Sequence, residues 1–270
     1  MAPSKDFTPV NRLIDLTNKA AIVTGGAVGI GFAVSYRLAE AGASVLIVDA
    51  NDQGAREASQ KLTSRGYRAS SLRCDVSLEE EVKGMARTAV QKMGGIDILV
   101  NNAGIYPRIP LAQTTGNDFE RVVSVNLTGT FLCSREVSQK MMEQKRRGCI
   151  INIASIEAIH PLSTGLSAYD ASKGAIMSFT KSLALELGKY DIRVNAIAPG
   201  GIITEGVRSV LGKQSAAEGK AQLKAFMAHM LLGRMGEADD IGRVALFLAS
   251  DLASYMTGSL VVVDGGYLVS

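Results

Sequence analysis

Seven short runs dense in Val, Ile and Leu, most of them followed by a helix-like stretch, set the fold this chain can reach. They span residues 20–24, 44–49, 68–75, 96–100, 149–154, 192–198 and 260–263. Several are apolar throughout, with no polar residue at alternate positions. Such a strand is covered on both faces, the condition of a parallel sheet. Between the runs, apolar residues recur at the three- and four-residue spacing of a half-buried helix over 31–41, 53–65, 78–92, 117–144, 168–188 and 239–249. Strand–helix alternation without a break in composition predicts one doubly wound α/β domain, a parallel sheet flanked by helices on both faces. Two stretches fall outside the pattern. Residues 1–16 read as an N-terminal extension ahead of a domain over 17–270. Residues 205–232 read as helical but lie between sheet elements, which predicts a flap over a site. In that flap Leu223, Phe226, Met227, Met230 and Leu231 have amphipathic spacing.

The first run ends in Thr24-Gly25-Gly26-Ala27-Val28-Gly29-Ile30-Gly31 and passes directly into a helix pattern. Glycines there allow a tight turn and let a pyrophosphate approach the backbone. The helix N-terminus offers N–H groups and a favourable dipole to the phosphates. The spacing is Gly-x-x-x-Gly-x-Gly. The second run ends in Asp49, followed by Ala50-Asn51-Asp52. A carboxylate at this position accepts hydrogen bonds from the adenosine ribose and repels the 2′-phosphate of NADP. No cation stands in the glycine loop, so NAD is the expected cofactor. Asp49 also reads as a cap of the next helix.

Tyr169-Asp170-Ala171-Ser172-Lys173 places a tyrosine and a lysine on one helix face. An ammonium near a phenol favours the phenolate, and a tyrosine tuned that way can exchange protons with an alcohol.

Taken in order, these motifs and six more resemble those of the short-chain dehydrogenase/reductase family, over nearly the whole chain. The others are Asp75-Val76, Asn101-Asn102-Ala103-Gly104, Asn126 in Val125-Asn126-Leu127, Ser155 in Ile153-Ala154-Ser155, and Pro199-Gly200 with Ile202 and Thr204. Asp264-Gly265-Gly266 closes the series. The resemblance implies a Rossmann fold and an enzyme that interconverts a secondary alcohol and its ketone. It implies Tyr169 as general acid and base, Ser155 as hydrogen-bond donor to the carbonyl oxygen, and Lys173 on the nicotinamide ribose, depressing the Tyr169 pKa. Asn126 would hold its helix open around a water that relays protons to Lys173. Gly25, Val28, Gly29, Ile30 and Gly31 would hold the pyrophosphate side. Asp75, Val76, Asn102, Ala103 and Gly104 would line the adenine and ribose. Pro199, Gly200, Ile202 and Thr204 would hold the carboxamide. The family also implies a homotetramer, paired through 117–144 and 168–188 and through the tail 260–270.

Substrate-facing candidates are Tyr106, Glu157 and His160, beside Ser155 and Tyr169. A carboxylate at Glu157 suits the hydroxyls of a sugar, polyol or small cyclic or aryl alcohol; its other reading is a loop cap. His160 also reads as an ordinary loop residue. An alternative activity is 3-oxoacyl-[acyl-carrier-protein] reduction, whose enzymes usually carry a basic residue for NADP. An alternative of another class is a non-catalytic ligand-binding protein of the same fold, which would have lost the serine, tyrosine or lysine. Here all three are present.

Three scattered cysteines, Cys74, Cys133 and Cys149, have no ligand spacing and read as buried thiols in a reducing cytoplasm. With only His160 and His229 as histidines, no metal site is expected. No apolar run is long enough for a membrane helix. The net charge of +3 is interspersed, and Lys145-Arg146-Arg147 reads as a solvated helix end, not a nucleic-acid patch.

Overall fold

The computed structural model describes residues 7–204 and 226–270. The nine strands described are β1 (Ala20–Thr24), β2 (Ser44–Asp49), β3 (Ala69–Arg73), β4 (Ile98–Asn101), β5 (Gly148–Ile153), β6 (Ile192–Pro199), β7 (Ile202–Ile203), β8 (Gly236–Glu237) and β9 (Leu260–Val263). Seven form one sheet in the order β3-β2-β1-β4-β5-β6-β9, with every neighbouring pair parallel. From β1 the chain winds one way through β2 and β3, then the other way from β4. That reversal opens a crevice at the carboxyl ends of β1 and β4, where ligands of such sheets bind.

The helices described are α1 (Val10–Leu13), α2 (Gly29–Glu40), α3 (Asp52–Thr63), α4 (Glu79–Met93), α5 (Gly116–Val123), α6 (Gly129–Glu143), α7 (Ser167–Leu187) and α8 (Ala238–Ala249). Alternate strand residues feed two cores. Ala21, Val23, Val45, Ile47, Val100 and Ile151 pack with Val34, Leu38, Ala55, Leu62, Ile241 and Leu248 of α2, α3 and α8. Ile22, Leu46, Val48, Leu99 and Ile150 pack with Val82, Met85, Leu132, Val137, Ala184 and Leu187 of α4, α6 and α7. A sheet apolar on both faces therefore has a helical layer on each. Local chemistry agrees: α4 opens on Glu79, Glu80 and Glu81, which suit its dipole, and ends at Gly94 with φ 77°.

All seven sheet strands, and every expected helix but one, lie within two residues of the ends read from sequence. The exception is 117–144. It divides into α5, a π turn over Ser124–Thr128, and α6. The short parallel pair β7–β8, joining Ile202 to Gly236, is too brief to leave a pattern in sequence. Of the expected extension, α1 buries no residue, whereas Leu16 is buried and its N–H donates to the Ala41 carbonyl at 2.8 Å. Of the expected flap, 205–225, with Leu223, lie outside the described residues. The basic cluster after α6 is tied by ion pairs: Arg146 to Asp97 at 2.8 Å and Arg147 to Asp191 at 2.5 Å. All three cysteines are buried free thiols. No described helix is long and apolar enough to cross a membrane. Among the described residues no group of three His, Cys, Asp or Glu could hold a metal.

Candidate active site

The glycine loop is stitched to the end of β4. Asn102 Nδ2 donates to the carbonyls of Thr24 at 3.0 Å and Gly25 at 2.9 Å. Thr24 Oγ1 accepts from the N–H groups of Asn102 and Ala103, each at 3.1 Å. Gly25 and Gly29 have φ of 60° and 57°, the left-handed region that glycine enters without a Cβ penalty. Inside α2, a Cβ on Gly31 would lie 2.1 Å from the Gly25 carbonyl oxygen. Val28 stands at the N-cap of α2 and offers no side-chain acceptor to its first N–H groups. Asp49 Oδ2 accepts from Ala27 N–H at 3.2 Å and Oδ1 from Asn51 N–H at 3.0 Å. The carboxylate thus sits at the loop, half-buried. Across the crevice, Thr204 side-chain carbons would lie 3.3 Å from a Cβ on Gly29. Ile202 is buried, and Gly200 N–H donates to the Val263 carbonyl at 2.9 Å, fixing the turn after Pro199.

These residues fit a dinucleotide. The cradle is one a Cβ would fill, the helix end is open to phosphate, and the carboxylate of Asp49 stands beside both. Asp75 and Val76 contribute less directly. Asp75 Oδ1 accepts from the N–H and hydroxyl of Ser77 at 3.0 and 2.7 Å. Val76 is a core residue, 2.6 Å from where a Cβ on Gly129 would be. Asn102 serves the loop itself through its amide.

The second half of the crevice holds Ser155, Tyr169, Lys173 and Asn126. Ser155 lies two residues past β5 and its Oγ accepts from Glu157 N–H at 3.2 Å. Tyr169 and Lys173 lie on one face of α7. Ser155 stands near enough to the Tyr169 phenol to favour its ionised form. Lys173 is buried, donates to the Ile153 carbonyl at 2.6 Å, and sits 5.7 Å from the Tyr169 ring centroid. Asn126, fully buried in the π turn, brackets Ile105: its Oδ1 accepts from Ile105 N–H at 2.8 Å and its Nδ2 donates to Ile105 O at 3.0 Å. Nδ2 also donates to Ser172 Oγ at 3.0 Å, whose hydroxyl donates to Tyr169 O at 2.7 Å. The Asn126 carbonyl accepts from Thr130 Oγ1 at 2.7 Å. A π turn widens the helix at a point where side-chain geometry matters. Gly104 brings its loop close: a Cβ there would lie 3.3 Å from Asn126 Oδ1 and 3.6 Å from Lys173 Nζ. Thr130 and Ser172 went unread in the sequence, although each lies one helical turn from a residue that was read.

Burial governs the charges. It pushes the Tyr169 phenol up to about 12, against the lowering effect of the nearby Ser155 hydroxyl, and the nearby charges of Glu157, Tyr106 and Asp170 add to the rise. Burial lowers Lys173 to about 8. Burial acts against the expected depression of the phenol by Lys173, whose ammonium donates to the Ile153 carbonyl. Asp170, one residue past the tyrosine, is raised to about 6 by burial and by the charge of Glu157, and its buried Oδ1 lacks a hydrogen-bond partner. Its folded pKa exceeds the unfolded one, so the folded state binds more protons between those values. Its contribution falls as pH rises through about 6. Asp170→Asn should then raise the unfolding temperature at neutral pH. That gain should vanish below about pH 4, as thermal melts across pH would show.

On the substrate side, the Tyr106 ring meets Tyr169 edge to face at 6.0 Å and 69°, with 43% of Tyr106 exposed. Successive residues of 105–109 face opposite ways. Tyr106 meets Tyr169 and Arg108 donates to Ser163 Oγ at 3.1 Å. Ile105, Pro107 and Ile109 instead line a depression of about 270 Å³ against Asp118 and Arg121. Glu157 Oε2 accepts from Leu162 N–H at 2.7 Å, the loop-cap role. His160 is exposed on the same loop.

A phosphate-ready cradle and a proton-bearing phenol, opening onto one crevice, place the chain among the oxidoreductases built on the dinucleotide-binding fold. Comparison with known proteins agrees and narrows this. The model of the family described as enoyl-(acyl carrier protein) reductase matches residues 25–268. A tropinone reductase-like 2 protein of Erythroxylum coca is 41% identical over 94% of this chain and 92% of its own. A 3-oxoacyl-[acyl-carrier-protein] reductase of Chlamydia pneumoniae is 42% identical over 94% and 98%. A solved structure from Agrobacterium tumefaciens, provisionally described as a 2-deoxy-D-gluconate 3-dehydrogenase with bound NADP, superimposes with a TM-score of 0.86. It is 32% identical, covering 96% of this chain and 99% of that one. The chain belongs to the short-chain dehydrogenase/reductase family.

Proposed function

We propose that the protein is an NAD-dependent oxidoreductase that interconverts a small secondary alcohol, such as a sugar, polyol, cyclic or aryl alcohol, and its ketone. The observation that carries the chemistry is the Tyr169 phenol, one helical turn from the buried Lys173, whose ammonium lies 5.7 Å from its ring, and close enough to Ser155 for the hydroxyl to lower its pKa. Tyr169 donates its proton to the substrate oxygen in reduction and takes it back in oxidation. Ser155 steadies the charge that develops on that oxygen. The nicotinamide, when bound, supplies or accepts the hydride. Gly25, Val28, Gly29, Ile30 and Gly31 hold the pyrophosphate side, Asp49 the adenosine ribose, Asp75, Val76, Asn102, Ala103 and Gly104 the adenine side. Lys173 holds the nicotinamide ribose, and Pro199, Gly200, Ile202 and Thr204 the carboxamide. Asn126 fixes both the Ile105 loop and, through Ser172, the helix of Tyr169. Tyr106 and His160 face the substrate, and the Glu157 oxygen not used by Leu162 is available to a hydroxyl.

The NAD preference rests on Asp49. Titration of NADH and NADPH by ligand fluorescence should give tighter NADH binding. Asp49→Ala should shift the ratio of the two affinities toward NADPH by roughly tenfold, as expected when like-charge repulsion is removed. Equal affinity of the wild type for both would defeat the preference, as the NADP-bound relative allows. The competing substrate reading is a 3-oxoacyl-[acyl-carrier-protein] reductase, favoured by the Chlamydia relative. The reading extends to a cytoplasmic homotetramer. The buried thiols support the first part, and exposed Phe131 and Leu185 on α6 and α7 support a helix-paired interface.

A further inference from the structure

The last residues of the chain form a seat for the segment that follows residue 225. The Tyr267 and Phe226 rings lie 4.7 Å apart, 31° from parallel, and the His229 ring is 5.4 Å from the same tyrosine. His229 Nδ1 meets Ser270 Oγ at 3.2 Å, and that hydroxyl donates to Tyr267 O at 2.9 Å. Leu232 N–H donates to the Gly265 carbonyl at 3.1 Å. The seat is itself fixed: Asp264 accepts from the N–H groups of Gly266 and Leu268, each at 2.8 Å. On its other side, Phe226 fills the space that glycine leaves at 201. A Cβ on Gly201 would lie 2.3 Å from Phe226 Cε1 and 3.1 Å from Met230 Cε. Gly201 stands between Gly200 and the buried Ile202, at the carboxyl end of β6 and the edge of the crevice. Tyr267 and Leu268 also pack on the Ala154, Ile156 and Ile176 cluster, whose first two members flank Ser155.

We propose that Tyr267 is a positioning residue for substrate: its ring holds the 226–232 segment against Gly201 at the crevice and so sets substrate affinity. This rests on the reading of the crevice as the site of alcohol–ketone interconversion. One side chain packs on both the 226–232 segment beside Gly201 and the cluster that includes Ala154 and Ile156, the neighbours of Ser155. Loosening it displaces an apolar wall without altering the glycine loop and the Asp49 side of the cofactor cradle, which belong to β1, β2 and β4. A misplacement of about 1 Å far from the reacting atoms is enough to slow an enzyme.

The test compares Tyr267→Ala and Tyr267→Phe with wild type in KM and kcat for a secondary alcohol that the wild type turns over, NADH affinity, sedimentation, and amide exchange at Leu232 and Gly233. Tyr267→Ala should raise KM by roughly tenfold with kcat and NADH affinity within about twofold. Exchange at Leu232 should quicken by at least about tenfold, and Tyr267→Phe should behave as wild type. An unchanged KM overturns the proposal, as does a rise in KM that comes only with weaker NADH binding or with a changed sedimentation profile. Exchange unchanged in Tyr267→Ala overturns the seat itself and needs no turnover to be read. Absence of any turnover by wild type would instead strike the oxidoreductase reading.

Discussion

Tyr169→Phe should lower kcat by about 10³-fold while NADH affinity stays within about twofold, because the substitution removes one proton and little else. The ring remains, so its edge-to-face contact with Tyr106 and its place beside Lys173 remain. What goes is the hydroxyl beside Ser155. The wild-type pH profile should carry the same signature. With the phenol pushed up to about 12, the acid form dominates across the neutral range. Reduction, which consumes that form, should depend on pH far less than oxidation, which needs the phenolate and should climb through the alkaline range. Rapid-mixing kinetics in both directions would show it. Near-wild-type turnover by the Phe variant would remove Tyr169 from the chemistry.

Gly31→Ala should be the most damaging single-methyl change in the chain's cofactor half. Its Cβ would meet the Gly25 carbonyl oxygen at 2.1 Å and Asn102 Nδ2 at 2.6 Å. Neither neighbour can swing aside cheaply. One is backbone, and the other is the amide that joins the loop to β4 through Thr24 and Gly25. Overpacking of this kind costs about 1–3 kcal/mol and forces a backbone shift at the phosphate cradle. NADH affinity should fall by about 100-fold, a loss of about 2.7 kcal/mol. Gly84→Ala in α4 is the matched control. The nearest atom to its Cβ is Arg87 Nη2 at 3.9 Å, so it should raise the melting temperature slightly through helix propensity. Wild-type NADH binding by Gly31→Ala would mean that the cradle lies elsewhere.

The sheet was legible because its strands are apolar on both faces. Val23 and Ile22 go to different cores, and only a sheet sandwiched between helices asks for that. The break at Asn126 was not legible from periodicity, because the π turn is built from Ser124, Val125, Asn126, Leu127 and Thr128, whose composition continues the helices on either side. Family resemblance marked the asparagine; the structure adds its grip on Ile105 and Ser172. Glu157 had two readings in sequence, and its contact with Leu162 N–H gives one oxygen to the loop. The burial that raises the Tyr169 phenol was not legible, because four-residue spacing reports a neighbouring lysine but not the surroundings of the ring. Contacts such as Tyr267 with Phe226 lie beyond local pattern altogether, since they depend on where β6 and β9 end.

The most direct test follows nicotinamide absorbance as the wild type meets NAD or NADP with polyols, aldoses, cyclic and aryl secondary alcohols, and 3-hydroxyacyl thioesters, with Tyr169→Phe as the blank. NAD should be reduced, in preference to NADP, by one of the small hydroxyl compounds, with none reduced in the blank. Turnover confined to acyl thioesters with NADP would contradict this, and would assign the crevice to the carrier-protein reductase chemistry instead.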